Sequence, residues 1–182
     1  MSLLVEWDRH ELARRRDDLL DVYAEAMEVS ASSARARRPI VTAHLDRQGL
    51  RAAAAVADDG HLVGVAYGYL GAPGQWWHDQ VSAALPAGLT STWLIGAFEV
   101  CELHVRPSAQ GQGLGRALLE HLLSGPPAPT AVLTTPDQET RARGFYRAAG
   151  WVDLVRGLMF PGDPRAFAVL GKRLPCVATV EG

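Results

Sequence analysis

Three glycines crowd into five positions directly before a leucine-rich run in the stretch VRPSAQGQGLGRALLEHLL, residues 105–123. A glycine in a helix interior costs roughly 1 kcal/mol relative to alanine, so Gly111, Gly113 and Gly115 are expected at the entrance of a helix. The apolar run AFEVCELHV before them predicts a strand. The leucines after them recur at helical spacing. The sequence therefore predicts a strand, a glycine-rich loop and an amphipathic helix in direct succession.

A loop of this kind suits an anion. The first N–H groups of a helix have no intrahelical acceptor and lie at the positive end of the helix dipole. Glycines let a phosphate approach the main chain without interference from a Cβ atom. Arg116, in the first turn, adds a positive charge. The loop predicts a phosphate-binding site, and a tight turn without a ligand is the alternative.

Two familiar phosphate loops do not fit this spacing. A P-loop needs a lysine directly after its second glycine, but the only lysine in the chain is Lys172. A dinucleotide fingerprint counted from Gly111 or Gly113 places Arg116 or Leu118 where its last glycine should stand. The first class of site is excluded and the second is disfavoured.

The first half of the chain begins with a predicted strand, SLLVEW, followed by two predicted helices. Asp8 and Glu11 form a capping pair for a helix over about residues 9–28. A second helix is expected over about residues 33–48, with Pro39 as a potential interruption and a glycine at its end. Asp59-Gly60 then lies between two extended runs, which predicts an antiparallel hairpin.

The rest of the chain alternates between short apolar runs and one further helix. The segment 72–96 has no clean period, and its length makes it a candidate functional loop or lid. After the glycine loop and its helix come the strand AVLTT, a helix over about 138–149, and the strands WVDLV and RAFAVLGKRL. This order predicts an α+β fold with a mixed, mainly antiparallel central sheet and helices on both faces. Only the two strands beside the glycine-loop helix need to be parallel.

The remaining loop pattern is Gln110-x-x-Gly113-x-Gly115 after ELHVRP, and GFYRAAGW follows at residues 144–151. Together these segments resemble motif A and the Tyr-containing helix of the GNAT superfamily of acyl-CoA-dependent N-acetyltransferases. The element order agrees with that family from residue 1 to about residue 174. The resemblance implies the GNAT fold, acetyl-CoA as cosubstrate, and transfer of an acetyl group to a primary amine by direct attack in a ternary complex.

The resemblance also assigns the cofactor contacts. The main chain of Leu103, His104 and Val105 is expected to bind the pantetheine arm as an added strand would. The loop is expected to hold the pyrophosphate through residues Gln110, Gly111, Gln112, Gly113, Leu114, Gly115 and Arg116.

Catalysis requires a proton acceptor for the amine and a proton donor for the CoA thiolate. Tyr146 is the predicted acid near the CoA sulfur, since the family commonly has a tyrosine there. The predicted base is Glu102, with Glu99, His104 or a water molecule as alternatives. A packed tyrosine that only positions the cofactor, or a salt-bridged glutamate, is the structural alternative for each.

Two positions depart from the family. Glu139 stands where many members have an asparagine that contacts pantetheine, and Thr134 stands where some have a carboxylate. These departures motivate a different-class alternative, a non-catalytic acyl-CoA sensor or interaction module on the same fold.

The acceptor is expected to be a small molecule or a peptide with an amine. Trp76 and Trp77 with Asp79 nearby can hold a cationic amine through cation–π and charge contacts, or can pack in the core with His78. We leave open whether the chain acts alone or as a homodimer.

The composition and the motifs that are missing argue against other classes of protein function. With 182 residues, 48% hydrophobic and 21% charged, the chain is expected to form a single acetyltransferase domain over residues 1–182. A net charge of −2 and no long basic stripe argue against nucleic acid as a partner. We find no zinc, Cys-x-x-Cys or Gly-x-Ser-x-Gly motif, and we expect no metal.

The start of the chain and its cysteines bear on location. MSLLVEWD lacks the features of a secretory signal, and no apolar run is long enough to span a bilayer, which predicts a cytoplasmic protein without a membrane partner. Cys101 and Cys176 are expected to be buried reduced thiols, with a disulfide between them as the alternative.

Overall fold

The computed structural model describes residues 2–125 and 128–175. The first strand, β1 (Ser2–Trp7), leads into α1 (Arg9–Arg14) and α2 (Arg16–Ala26). The Glu11 N–H donates to Asp8 Oδ1 at 2.7 Å, which confirms the predicted cap. The predicted second helix is divided into α3 (Ala31–Arg35) and α4 (Arg38–His44), with Pro39 in the first turn of α4. Proline is tolerated there because the first amides of a helix have no intrahelical acceptor.

The hairpin forms as its turn residues predict. Strands β2 (Arg51–Ala57) and β3 (Leu62–Leu70) pair antiparallel around Gly60, which has φ +85°. Strand β1 pairs antiparallel with the other edge of β2. The four alanines of β2, residues 52–55, are at most 2% exposed, so this strand is buried on both faces.

The segment predicted as a loop or lid is largely helical, so that prediction is wrong. It contains α5 (Trp76–Ala84) and α6 (Ala87–Trp93). Strand β4 (Phe98–Val105), a 3₁₀ turn (Pro107–Ala109) and α7 (Leu114–Leu123) follow, as the glycine pattern predicts. The chain continues through β5 (Thr130–Pro136), α8 (Arg141–Ala148), β6 (Val152–Met159) and β7 (Ala166–Arg173).

The strands form one seven-stranded sheet in the order β1-β2-β3-β4-β5-β7-β6. Antiparallel pairing joins β1 to β2, β2 to β3, β5 to β7 and β6 to β7, whereas β4 and β5 run parallel. This confirms the predicted α+β class with a mainly antiparallel sheet, and it confirms the parallel pair beside the glycine-loop helix.

The chain divides into two compact units. The first contains the described residues up to Tyr69 together with those from Val100 to Gly125. In its core, Leu12, Leu19 and Leu20 of the helices pack with Trp7 and Tyr67 of the strands. Residues 2–50 therefore supply much of this core.

The second unit contains Leu70–Glu99 and the described residues from Ala128 onward. Its core brings Val81 and Leu94 of the helical segment together with Val132, Phe160 and Val169. Cys176 lies outside the described residues, so the expectation about the two thiols stays a prediction. No helix in the described part of the chain is long and apolar enough to cross a membrane.

Candidate functional site

The glycine loop connects the end of β4 to the start of α7. Gly111 and Gly113 have φ values of +80° and +79°, a left-handed region that favours glycine. A Cβ atom added at Gly113 would meet no heavy atom within 4 Å, so the space beside this backbone is open. The loop thus exposes its main chain to an approaching ligand, which is the arrangement that a phosphate cradle needs.

The N-terminus of α7 is the second part of this cradle. Gly113 is the N-cap residue, and no side chain caps the helix. The Ala117 N–H donates to Gly113 O at 3.0 Å, which is the first hydrogen bond of the helix. The N–H groups of the preceding turn therefore have no acceptor within the helix. Arg116 is exposed in the first turn and forms no salt bridge among the described residues. The uncapped helix N-terminus and the nearby positive charge suit a phosphate group.

Gln110 fixes the loop to the strand. Its side-chain Nε2 donates to Val105 O at 2.9 Å, and the Arg106 N–H donates to Val63 O at 2.9 Å. The glutamine of the predicted motif therefore acts on the loop through its side chain. This contact holds the cradle at the end of β4.

Strand β4 has an edge that is not fully paired. The pairing of β4 with β5 covers Phe98 with Ala131 and Glu99 with Val132. From Val100 to Val105 the described residues show no further pairing with β5, although β5 pairs with β7 along its whole length. An unpaired strand edge is a template for an extended ligand. The predicted pantetheine contacts, Leu103 to Val105, lie on this part of β4.

Glu102 and His104 lie next to each other on β4 and are mostly buried. The His104 Nε2 is 2.5 Å from Glu102 Oε2, and the Arg37 guanidinium donates to Glu102 Oε1 at 2.5 Å. The side chains of Glu102 and His104 are 6% and 11% exposed. The predicted base is thus a carboxylate with both oxygens engaged.

The electrostatics of this group keep Glu102 ionised. Burial acts to raise the pKa of Glu102, but its hydrogen bonds with His104 and Arg37 and the positive charge of Arg37 outweigh burial and lower the pKa to about 2. A carboxylate with so low a pKa accepts a proton poorly near neutral pH. Its strongest effect is to hold the Arg37 guanidinium and to orient the His104 imidazole.

The other predicted catalytic side chains lie in the second unit. Tyr146 is half-buried on α8, and its ring packs against Phe145 and Trp151 at centroid distances of 5.1 and 5.7 Å. Glu99, the alternative base, is 5% exposed at the last position of β4 that pairs with β5. The role of each stays a prediction.

The two positions that depart from the family each have a partner. Glu139 is exposed and accepts hydrogen bonds from Arg147 at 3.2 and 3.4 Å. Thr134 Oγ1 accepts from Trp77 Nε1 at 3.3 Å. Both side chains therefore make contacts within the second unit.

The four residues around the predicted binding site for the acceptor amine differ in how far they are buried. Trp76 is 56% exposed and lies 5.3 Å from the ring of Phe160, whereas Trp77 is half-buried and His78 is 8% exposed. Asp79 accepts hydrogen bonds from the Gly74 N–H at 3.0 and 3.2 Å, so it also stabilises the start of α5. Of these four residues, Trp76 offers the most surface to a ligand.

Sequence reasoning missed Arg37 and Tyr23. Arg37 lies 65 positions before Glu102, and the guanidinium lies 4.7 Å from the centroid of the Tyr23 ring. No local pattern links an arginine at the start of a helix to a strand so far away in sequence. Such a contact becomes visible only when the helices pack on the sheet.

No group of three His, Cys, Asp or Glu side chains within residues 2–125 and 128–175 is placed to hold a metal ion.

Known proteins resemble the chain in sequence and fold. The acetyltransferase (GNAT) domain family matches residues 51–153. A protein of Mycobacterium tuberculosis named a GCN5-like protein acetyltransferase is 38% identical over 201 aligned positions, which cover 94% of this chain and 98% of that protein.

Solved structures share the fold at lower identity. A protein of Desulfovibrio desulfuricans, assigned as an acetyltransferase of the GNAT family, superposes with a TM-score of 0.68 at 18% identity. The superposition covers 96% of this chain and 100% of that one. A protein of Salmonella typhimurium assigned as an acetyltransferase, solved with its cofactor acetyl-CoA, superposes with a TM-score of 0.60 at 14% identity, covering 96% and 95%.

Proposed function

Because this chain belongs to the GNAT acetyltransferase family, we propose that it transfers the acetyl group of acetyl-CoA to a primary amine. The observation that supports this most directly is the open main chain of the loop before α7. Two glycines in left-handed conformation and an uncapped helix N-terminus form a cradle for a diphosphate.

In this proposal two segments of the chain bind two different parts of acetyl-CoA. The loop from Gln110 to Arg116 holds the diphosphate through its amides, and the unpaired edge of β4 from Leu103 to Val105 aligns the pantetheine arm. Acetyl-CoA supplies the activated acyl group as a thioester. No metal takes part in this proposal.

The proton transfers belong to side chains of β4 and α8. Tyr146 donates a proton to the departing thiolate, as a phenol can. The proton acceptor for the amine is on β4, where Glu99, Glu102 and His104 are the titratable side chains. A cytoplasmic location remains a prediction.

The acceptor we favour is an amine on a protein. The relative from M. tuberculosis is named a protein acetyltransferase and aligns along almost all of this chain. The exposed Trp76 offers an aromatic face to a cationic amine. A small-molecule amine is the second candidate, and both should be offered in the assay.

The first experiment is a thermal-unfolding titration with acetyl-CoA, run beside NADH and ATP. A ligand at 100 times its Kd adds about 2.7 kcal/mol, which raises the midpoint by roughly 5 to 10 °C for a domain of this size. Gly113→Val should abolish the shift. Gly60→Val is the matched control, because Gly60 also has positive φ and open space around its Cβ position.

Both variants should lose a similar amount of stability from backbone strain, about 1 to 2 kcal/mol. The cofactor assignment fails if wild type shows no shift with acetyl-CoA, or if the two variants respond to acetyl-CoA alike.

Turnover separates an enzyme from a non-catalytic acyl-CoA sensor. CoA release in the presence of peptide and small-molecule amines should be measurable for wild type and strongly reduced in Tyr146→Phe, while the thermal shift with acetyl-CoA is retained. A shift without any CoA release across the amines would favour the sensor.

A further inference from the structure

A connected group of four polar and aromatic side chains lies between the helices and β4 in the first unit. It consists of Tyr23 on α2, Arg37 just before α4, and Glu102 and His104 on β4. Glu102 is at the centre, with one oxygen on Arg37 and the other on His104, each at 2.5 Å. We call these residues the Glu102 network.

The network determines which nitrogen of His104 holds the proton. An ionised carboxylate can only accept hydrogen bonds, so the His104 Nε2 must be the donor in this contact. In a neutral imidazole the other nitrogen, Nδ1, then has a lone pair and can accept. Within the described residues Nδ1 has no hydrogen-bond partner, and the side chain remains 11% exposed. His104 thus offers a basic nitrogen.

Packing fixes the orientation of the imidazole. The Tyr23 ring meets His104 edge to face, with centroids 5.1 Å apart and an interplanar angle of 90°. Arg37 stacks its guanidinium over the same Tyr23 ring at 4.7 Å. Arg37 therefore contacts both Glu102 and the Tyr23 ring, and the Tyr23 ring in turn packs against His104.

We propose that His104 Nδ1 is the proton acceptor for the attacking amine, and that Glu102 and Arg37 are positioning residues that hold His104 in the productive tautomer. This rests on the proposed acetyl transfer. The amine nitrogen forms its bond to the acetyl carbon and gives one proton to Nδ1. The carbon–sulfur bond breaks, and the thiolate takes a proton from Tyr146 or solvent.

Glu102 is poorly suited to accept the proton itself. Protonating its carboxyl would disrupt the contact with Arg37 and leave that guanidinium without its anion. An anionic Glu102, by contrast, stabilises the imidazolium that forms when His104 takes the proton, because opposite charges attract strongly at short range. Arg37 and Glu102 therefore orient the imidazole, Glu102 stabilises its positive charge, and His104 accepts the proton.

The first test compares His104→Asn with His10→Asn, a matched control at an exposed position on α1. His104→Asn should lower kcat/KM by about 100-fold or more, which is the usual contribution of a general base. Its thermal shift with acetyl-CoA should equal that of wild type, and added imidazole should restore part of the activity of His104→Ala. His10→Asn should behave as wild type.

The second test concerns the positioning role of Glu102 and uses nitrogen NMR of the histidine side chains. Wild type should show Nδ1 of His104 without a proton and Nε2 with one. In Glu102→Gln the amide group can donate to Nε2 and favour the opposite tautomer. Glu102→Gln should lower kcat by at least about tenfold with KM for acetyl-CoA unchanged.

The outcomes are distinguishable. If wild type turns over and His104→Asn stays within about threefold of it, or if His104 holds its proton on Nδ1, the proton-acceptor role is overturned while acetyl transfer stands. If wild type releases no CoA with any amine, the proposed acetyl transfer fails and the role of His104 fails with it.

Discussion

At the residue scale, the contacts of the buried Glu102 carboxylate with Arg37 and His104 make protein stability depend on pH. The pKa of Glu102 is about 2 in the folded chain and near 4.5 when the group is unperturbed. A lowered folded pKa gives stability that is present above the unperturbed pKa and is lost as pH falls toward the folded pKa. The shift corresponds to a stabilisation on the order of 3 kcal/mol at neutral pH. Glu102→Gln removes this titration.

We therefore expect wild type to be more stable than Glu102→Gln at pH 6, and the difference in the free energy of unfolding to shrink by about 2 kcal/mol at pH 3. Urea unfolding at both pH values measures it. Glu120→Gln, at an exposed position on α7, is the control and should show no such change. A constant difference between wild type and Glu102→Gln would contradict the buried ion pair.

The sequence predicts some of these residues and not others. Glu102 and His104 could be found because alternation along a strand places them on one face. Gly113 could be found because only glycine suits a left-handed residue at a helix entrance. Arg37 and Tyr23 could not, because their contacts with β4 depend on how the helices pack, and no local spacing encodes that.

At the element scale, the helical segment from Trp76 to Trp93 differs most from its prediction. Its two helices have nine and seven residues and are separated by Leu85 and Pro86, so no single apolar period runs through the segment. The glycine-loop helix, with ten residues and regularly spaced leucines, was correctly predicted. A helix is thus visible in the sequence when its apolar residues keep one period without a break.

The residues at the end of α6 test whether this segment belongs to the core. Leu94 is 1% exposed, whereas its neighbour Ile95 is 68% exposed. Leu94→Ala should lower the free energy of unfolding by about 2 to 5 kcal/mol, because it leaves a cavity among packed side chains. Ile95→Ala should change it by less than about 0.5 kcal/mol. Urea midpoints measure both, and equal losses would show that the segment does not pack as described.

At the scale of the whole molecule, the fold extends beyond the part that the family matches. The family covers residues 51–153, yet the chain before residue 51 supplies β1 and four helices. β1 pairs with β2 over six residue pairs, and Leu12, Leu19, Leu20 and Val22 are at most 1% exposed. The prediction of a single domain over residues 1–182 therefore has a direct test.

A chain truncated to residues 51–182 should not fold cooperatively. Burying a leucine or valine contributes about 1.5 to 3 kcal/mol, so the loss of those four side chains alone approaches the 5 to 15 kcal/mol by which a whole domain is stable. Truncation also uncovers one edge of β2 and the alanines beneath the helices. We expect no urea transition, binding of a hydrophobic dye, and no thermal shift with acetyl-CoA. Full-length Leu3→Ala, at a position 68% exposed, should match wild type in all three measurements. A truncated chain with the cooperative transition and acetyl-CoA response of the full chain would instead place an independent domain within residues 51–182.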